Sequence, residues 1–400
     1  MSKDSLATQG GSPVREKFLP YALPKTGAEE AKEMLASLES GWITTGPKVK
    51  QLETALAEYT GAKEVICVNS CTAALHLCLF ALGMKPGDEV ITTPLTFCST
   101  VNTILQAGGT PVLVDVEEDT LNIDPVKIEA AITSKTRAIV PVHYAGHPCD
   151  MDAIRAIAKK HNLKIIEDAA HAIGTTYKGK QVGSLSDAAC FSFYATKNIT
   201  TAEGGAIATD DEELIKSARV NSLHGMSKDA WKRYTSAGSW YYEVVSPGFK
   251  YNMTDLEAAL GLHQLPRLED FISRRQELAA QFDRALSEVD EVKAPVWRKD
   301  EGRHVYHLYP IRIDLQKLSC DRAQFIEELK AENIGTTVNF IPIHYHPYYR
   351  DTLGLKPGSL PVVEAAYDAL ISLPLYPKMT DADGEDVMRA VRKVVEAYRR

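Results

Sequence analysis

From about residue 63 the chain alternates short apolar runs with amphipathic stretches, and no other feature limits its fold so tightly. "EVICVNS" predicts a strand and "CTAALHLCLFALG" a helix ended by Gly83. "DEVITTP" and "TPVLVDV" predict strands on either side of a helical "STVNTILQAG". "TRAIVPVHYAG" then reads as a strand, "DMDAIRAIAKKHN" as a helix and "LKIIEDAA" as another strand. Such strand–helix order produces a mostly parallel sheet with helices on both faces, an α/β fold. "DAACFSFYATK" and "GAIATDD" add two strands, and "DEELIKSARVNSLHG" follows as a helix. After Pro266 a helical stretch over 267–289 leads to a second set: a strand "HVYHLYPIRI", a helix "CDRAQFIEELKAEN", a strand "GTTVNFI", and helices near 361–372 and 381–399. Four hundred residues exceed a typical single core. The expected division is a polar, aperiodic flexible arm over 1–17, a large domain over 18–265 and a smaller C-terminal α/β domain over 266–400.

An open parallel sheet binds ligands beyond the carboxyl ends of its strands, so the residues at those ends are the first candidates. In "VNSCTAAL" a hydroxyl-bearing turn, Ser70-Cys71-Thr72, joins a strand to a helix, where free N–H groups and the helix dipole suit a phosphate. "LKIIEDAAHA" ends its strand on Asp168, with Glu167 sent to the opposite face by side-chain alternation. His171 follows at the mouth of the same strand, open to a structural or a site role. Phe97 in "TPLTFCST" lies just past a strand end, where a flat ring could cover a ligand, and Ser192 could add a phosphate hydroxyl. In "SFYATKNITTAEGG" Lys197 stands alone, with no charged residue within five positions. A lysine in a crowded, partly dry pocket loses basicity and becomes a nucleophile towards an aldehyde. Amine, acid, helix-start anion site and stacking ring are together the set that pyridoxal 5′-phosphate requires.

Other chemistries are less well provided. There is no GxGxxG and no GxxxxGKS, so dinucleotide and P-loop readings are weak. His143 and His147 have an i, i+4 spacing, but Gly146-His147-Pro148 breaks the helix a zinc pair needs. His344 and His346 alternate in an extended segment, so no metal is expected. A net charge of −8 and a pI near 5.8 give no reason to expect a nucleic-acid partner. No apolar stretch reaches membrane-spanning length, and "MSKDSLATQGG" lacks the apolar core of a signal peptide. Seven cysteines without a CxxC pair indicate no disulfide framework, so a reducing cytoplasm is expected.

The stretches "SGWITTGPKVKQLE", "GDEVITTPLTF", "PVHYAGHPCDMDAI", "IIEDAAHAIGTTYKGK", "FSFYATKNITTAEGGAI" and "GFKYNMTDLEAALGLHQL" together resemble the DegT/DnrJ/EryC1/StrS family of sugar-nucleotide aminotransferases, from about residue 18 to the end. The resemblance implies a type I aminotransferase fold, pyridoxal phosphate, and a homodimer whose subunits share active sites. By position, Lys197 matches the family's Schiff-base lysine, Asp168 its partner for the pyridine nitrogen and Phe97 its stacking ring. Thr72, Ala73 and Ser192 match its phosphate ligands, and His171 a residue beside the cofactor ring. Where many members read GxNxR, this chain has Gly248-Phe249-Lys250-Tyr251-Asn252, so either Lys250 or Asn252 could reach the partner's phosphate. That variant and "WITTGPK" are most similar to the branch that makes UDP-4-amino-4-deoxy-L-arabinose, and to relatives acting on 4-keto-6-deoxy sugars. The function implied is amino transfer from glutamate to the keto carbon of a nucleotide-linked sugar, in the biosynthesis of amino sugars for surface polysaccharide or lipopolysaccharide. Trp42 and Thr44 in "SGWITTGPK", with Asn339, His344, Tyr345 and Tyr348 in "NFIPIHYHPYYR", are the expected sugar contacts. A dehydratase on the same scaffold would carry histidine at the lysine position, and Lys197 opposes it. A non-catalytic nucleotide-sugar-binding or regulatory protein would not need the full lysine, acid and phosphate set.

Overall fold

A computed structural model describes residues 5–227 and 241–400. Thirteen strands follow in order along it. They are β1 (Glu64–Val68), β2 (Glu89–Thr92), β3 (Thr110–Leu113), β4 (Thr136–Val140), β5 (Lys164–Asp168), β6 (Thr176–Tyr177) and β7 (Lys180–Gln181). The rest are β8 (Ala188–Ser192), β9 (Gly205–Thr209), β10 (Val292–Lys293), β11 (Gly302–Arg303), β12 (Tyr309–Ile313) and β13 (Leu370–Leu373). Seven of them form the main sheet in the order β1-β9-β8-β5-β4-β2-β3, in which only β9 runs antiparallel to its neighbours.

The apolar runs explain this sheet. Val65 and Cys67 of β1, Ile139 of β4, Ile165 of β5 and Phe191 of β8 enter one buried cluster. Ile66, Val68, Val140, Ile166 and Cys190, each one step along, enter the cluster on the other face. A strand buried on both faces must be apolar throughout, which is what the sequence supplies. The polarity of the strands then fixes the site. The carboxyl ends of β1, β2, β4, β5 and β8 lie along one edge of the sheet, and antiparallel β9 begins there. Ser70, Phe97, Val142, Asp168, Ser192 and Gly204 are thereby brought to one rim.

A second, antiparallel sheet, β10-β12-β13, packs with helices Leu268–Leu286, Arg322–Ala331 and Asp381–Tyr398 around a separate apolar cluster. The helix after Pro266 belongs to both cores. Leu268, Phe271 and Ile272 pack with the large sheet, whereas Leu278, Phe282 and Leu286 pack with the small one. The change of partner thus falls inside this helix.

Several expectations need correction. Residues 5–17 are not a loose arm: Leu6 is 1% exposed in the small core, Glu332 accepts from the amides of Ala7 and Val14, and Arg15 pairs with Asp383 and Asp386. One buried leucine and charge pairing anchor a segment whose composition is polar. The first four residues lie outside the described ones. "GTTVNFI" is not a strand. It meets β13 only at Thr337, opposite Ser372, and then lines the cavity described below. The helix expected over 361–372 stops at Ala369, and its last apolar residues, "LISL", form β13, buried against β12. No helix among the described residues is long and apolar enough to cross a membrane.

Candidate active site

A cavity of about 340 Å³ lies at the shared rim, between the large sheet and the small unit. Its floor comes from strand ends and its lid from Tyr21, His307, Asn339 and Phe340.

Lys197 sits in the loop that turns β8 back into β9. Thr201 N–H and Thr200 Oγ1 donate to the Phe193 carbonyl, and Lys197 N–H donates to the Tyr194 carbonyl at 2.9 Å, so the loop is held by its own hydroxyls and amides. No hydrogen bond or ion pair engages the Lys197 amine among the described residues. Burial lowers its pKa to about 8, against the opposing pull of Cys71 and Asp168.

Asp168 closes β5 and is 4% exposed. Its Oδ2 accepts from Thr100 Oγ1 at 2.7 Å and its Oδ1 from the Ala170 amide at 3.1 Å. Burial raises its pKa, and those two hydrogen bonds with the nearby Lys197 oppose the rise. Glu167 points the other way, where its carboxylate meets His143 Nε2 at 2.6 Å and Ser186 Oγ at 2.5 Å.

Ser70 caps the helix Cys71–Ala81 by accepting from the Ala73 amide at 3.1 Å. That hydrogen bond commits the Ala73 N–H, and among the described residues the Cys71 and Thr72 amides stay open at the positive end of the helix. Ser70, Cys71, Thr72 and Ser192 line the cavity; Ala73 does not. The approach of β9 to this turn requires glycine. A Cβ on Gly205 would stand 2.4 Å from the Ser70 carbonyl carbon and 2.5 Å from the Cys71 nitrogen.

His171 is buried, and its Nδ1 has no partner among the described residues. Its ring lies 4.3 Å from that of His307 and stacks on Phe340 at 5.8 Å and 17°. Burial pushes its pKa well below the ordinary value, with Lys197 adding to the effect. Phe97, the N-cap residue of helix Cys98–Gln106, is 59% exposed at the mouth, 6.1 Å from Phe340 between ring centres.

The remaining predicted residues stand outside this cavity. His344 is fully buried with Nε2 2.9 Å from Glu364 Oε1, and the Tyr345 ring meets Tyr367 edge-on at 5.6 Å. Neither lines the cavity: in the short helix Ile343–Tyr345 the Ile343 and His344 side chains are buried within the protein. Tyr348 is exposed elsewhere. Trp42 and Thr44 lie in the loop before helix Pro47–Thr60, far in sequence from 250–255 but tied to it. Asp255 N–H donates to the Thr44 carbonyl, Asn252 Nδ2 to Thr45 Oγ1 at 2.7 Å, and Lys250 Nζ to Asn252 Oδ1 at 2.5 Å. Asn252 also bridges Val68, next to the phosphate turn. The two motifs therefore form one surface cluster beside the rim. Sequence reading missed Tyr21, Thr100, Tyr194, His307 and Phe340. Among the described residues no group of three or more His, Cys, Asp or Glu side chains is arranged to hold a metal.

This geometry fits pyridoxal phosphate. Open amides at a helix start suit its phosphate, an unpaired amine suits its aldehyde, and a buried acid suits its ring nitrogen. The fold and site are those of a pyridoxal-phosphate enzyme. The chain belongs to the DegT/DnrJ/EryC1/StrS aminotransferase family, whose model matches residues 24–392. It is 56% identical over 383 residues to the spore coat polysaccharide biosynthesis protein SpsC of Bacillus subtilis, covering 96% of this chain and 98% of that one. Among solved structures it superposes on Spr1654 of Streptococcus pneumoniae, in PLP and PMP forms, with a TM-score of 0.89 and 36% identity, covering 95% of this chain and 99% of that one. Helicobacter pylori PseC, an aminotransferase involved in the biosynthesis of pseudoaminic acid, superposes with a TM-score of 0.88 at 32% identity, over 96% of this chain and all of that one.

Proposed function

We propose that the protein moves an amino group from glutamate to the keto carbon, at C4, of a nucleotide-linked sugar, in making an amino sugar for a surface polysaccharide. The observation that carries this reading is the unpaired Lys197 amine, sharing one cavity with buried Asp168 and the open amides of Cys71 and Thr72. When bound, pyridoxal phosphate supplies an aldehyde that exchanges amines and a ring that accepts the electron pair left by a lost Cα proton. Lys197 Nζ is the base that takes this proton from the donor, and a pKa near 8 keeps part of it neutral at physiological pH. Asp168, held by Thr100 and the Ala170 amide, would keep the ring nitrogen protonated. His171 and Phe340 stack over one wall and exclude water.

The spore coat polysaccharide role in the name of SpsC and the pseudoaminic acid role of PseC support a sugar substrate. A homodimer with shared sites is part of the same reading. Leu35, Leu38 and Ile43 are each at least half exposed around the helix Ala28–Ser40, beside the Trp42–Thr44 and Lys250–Asn252 cluster. An apolar surface of this kind suits a second copy, and would carry that cluster to the partner's phosphate turn. Seven unpaired cysteines suit a cytoplasmic setting.

The test is incubation of holoenzyme with L-glutamate and a panel of 4-keto sugar nucleotides, with mass spectrometry of the products. A new amino sugar nucleotide with stoichiometric 2-oxoglutarate is expected. Acceptance of glutamate without amination of any nucleotide-linked ketone would overturn the sugar assignment.

A further inference from the structure

The cavity must admit two unlike substrates in turn, and its lining constrains how. An amino acid carries a carboxylate on the reacting carbon, whereas a sugar carries neutral hydroxyls around it. Among the described residues of this chain, no arginine lines the cavity. Arg275, behind the wall of His307 and Leu375, directs Nη1 to the carbonyls of Tyr306, His307 and Leu375. Of the lining side chains, Lys197 is occupied with chemistry, and His171 and His307 are held neutral by burial.

Asn339 is different. It comes from the small unit, lines the cavity, and precedes Phe340, whose ring stacks on His171. Its backbone carbonyl accepts from Tyr144 Oη, and its side-chain Oδ1 accepts from Tyr21 Oη at 2.9 Å. Burial keeps the Tyr21 hydroxyl protonated. The amide is therefore oriented with its oxygen committed, and its Nδ2 has no partner among the described residues. Two N–H donors remain for a ligand. A neutral amide also suits the alternation of substrates. A guanidinium in this place would lose its counter-ion whenever the sugar entered, which is costly away from water.

We infer that Asn339 Nδ2 binds the α-carboxylate of the amino donor, with Tyr21 as the positioning residue that orients the amide. This rests on the aminotransferase reading above. The test is steady-state kinetics of holoenzyme with both substrates varied, on Asn339→Asp, Asn339→Ala and Tyr21→Phe. The visible absorbance of the bound cofactor reports an intact site. A hydrogen bond to a charged group is worth about ten- to a hundredfold in affinity. Asn339→Ala should raise the glutamate KM by about that factor, with a far smaller change in kcat. Asn339→Asp, which sets carboxylate against carboxylate, should raise it further, while the sugar-nucleotide KM moves by less than about tenfold. Tyr21→Phe should give a smaller rise in the same direction, and it decides the matter if the Asn339 variants fail to hold cofactor. A glutamate KM within about twofold of wild type in these variants, or a larger rise in the sugar KM, overturns the inference. In wild type, glutamate alone should convert the cofactor's aldehyde form to its amine form. Failure there sinks the proposed function and this inference together, whereas conversion with unmoved KM values sinks only the inference.

Discussion

The Lys197 amine should titrate far below an ordinary lysine. Its pKa falls from 10.5 to about 8 because the loop between β8 and β9 holds it away from water. At pH 7.5 about one amine in four is then neutral, against about one in a thousand for an unperturbed lysine, a gain of roughly 240-fold in nucleophile. Competitive acetylation of the cofactor-free protein across pH measures this directly. The Lys197 peptide is quantified by mass spectrometry against peptides from exposed lysines, and its reactivity should rise to a plateau with a midpoint near 8. Asp168 holds the amine's proton by its charge, so Asp168→Asn should move the midpoint lower still. The same shift has a sign in stability. Between about pH 8 and 10.5 the unfolded chain binds the proton that folded Lys197 has lost, so this residue's contribution makes the cofactor-free protein more stable as pH rises through that window. A midpoint near the ordinary lysine value, or an upward move in Asp168→Asn, would refute the argument from burial.

Other perturbations separate the roles of individual residues. Asp168→Asn should bind cofactor more weakly and lose turnover by orders of magnitude, because a ring nitrogen without its acid is a poor electron sink; retention of most of the rate would make Asp168 a structural cap. Mixing inactive Lys197→Ala with a Lys250→Ala/Asn252→Ala protein should restore activity in hybrid dimers, whereas demonstrated hybrids without activity would assign the 250–252 segment to its own subunit's site. His344→Ala should lower stability by about 1–3 kcal/mol in urea unfolding, since it empties a fully buried site and removes the imidazole partner of Glu364. It should leave the sugar-nucleotide KM unmoved, and the reverse pattern would return His344 to the sugar pocket.

What could be read in the sequence was whatever depends on neighbours along the chain. Asp168 closes an apolar strand, Ser70 opens a helix, and Lys197 stands among hydroxyls, so each carried its own signal. The parallel sheet brought them together because strand direction alone sets which ends share a rim. The lid residues carried no such signal. Tyr21, His307 and Phe340 reach the cavity only because the small unit, with the N-terminal segment bridged to it at Leu19 and Ile334, docks over the sheet edge, a matter of packing between distant segments. His344 looked like a sugar contact because its partner, Glu364, is twenty residues away on another helix. The same cause hid the place of residues 5–17, where Leu6 inserts into a core assembled from the far end of the chain. "LISL" failed for a different reason, since a short apolar run after a helix reads equally as its continuation or as a strand.

The assignment of Lys197 as the amine that holds pyridoxal phosphate is tested most directly by borohydride reduction of the holoenzyme, followed by peptide mapping. Reduction should bleach the chromophore and leave one pyridoxyl-phosphate group on the peptide containing Lys197, with none in Lys197→Ala. A label on any other lysine, or a chromophore that survives reduction unattached to the chain, would contradict the account.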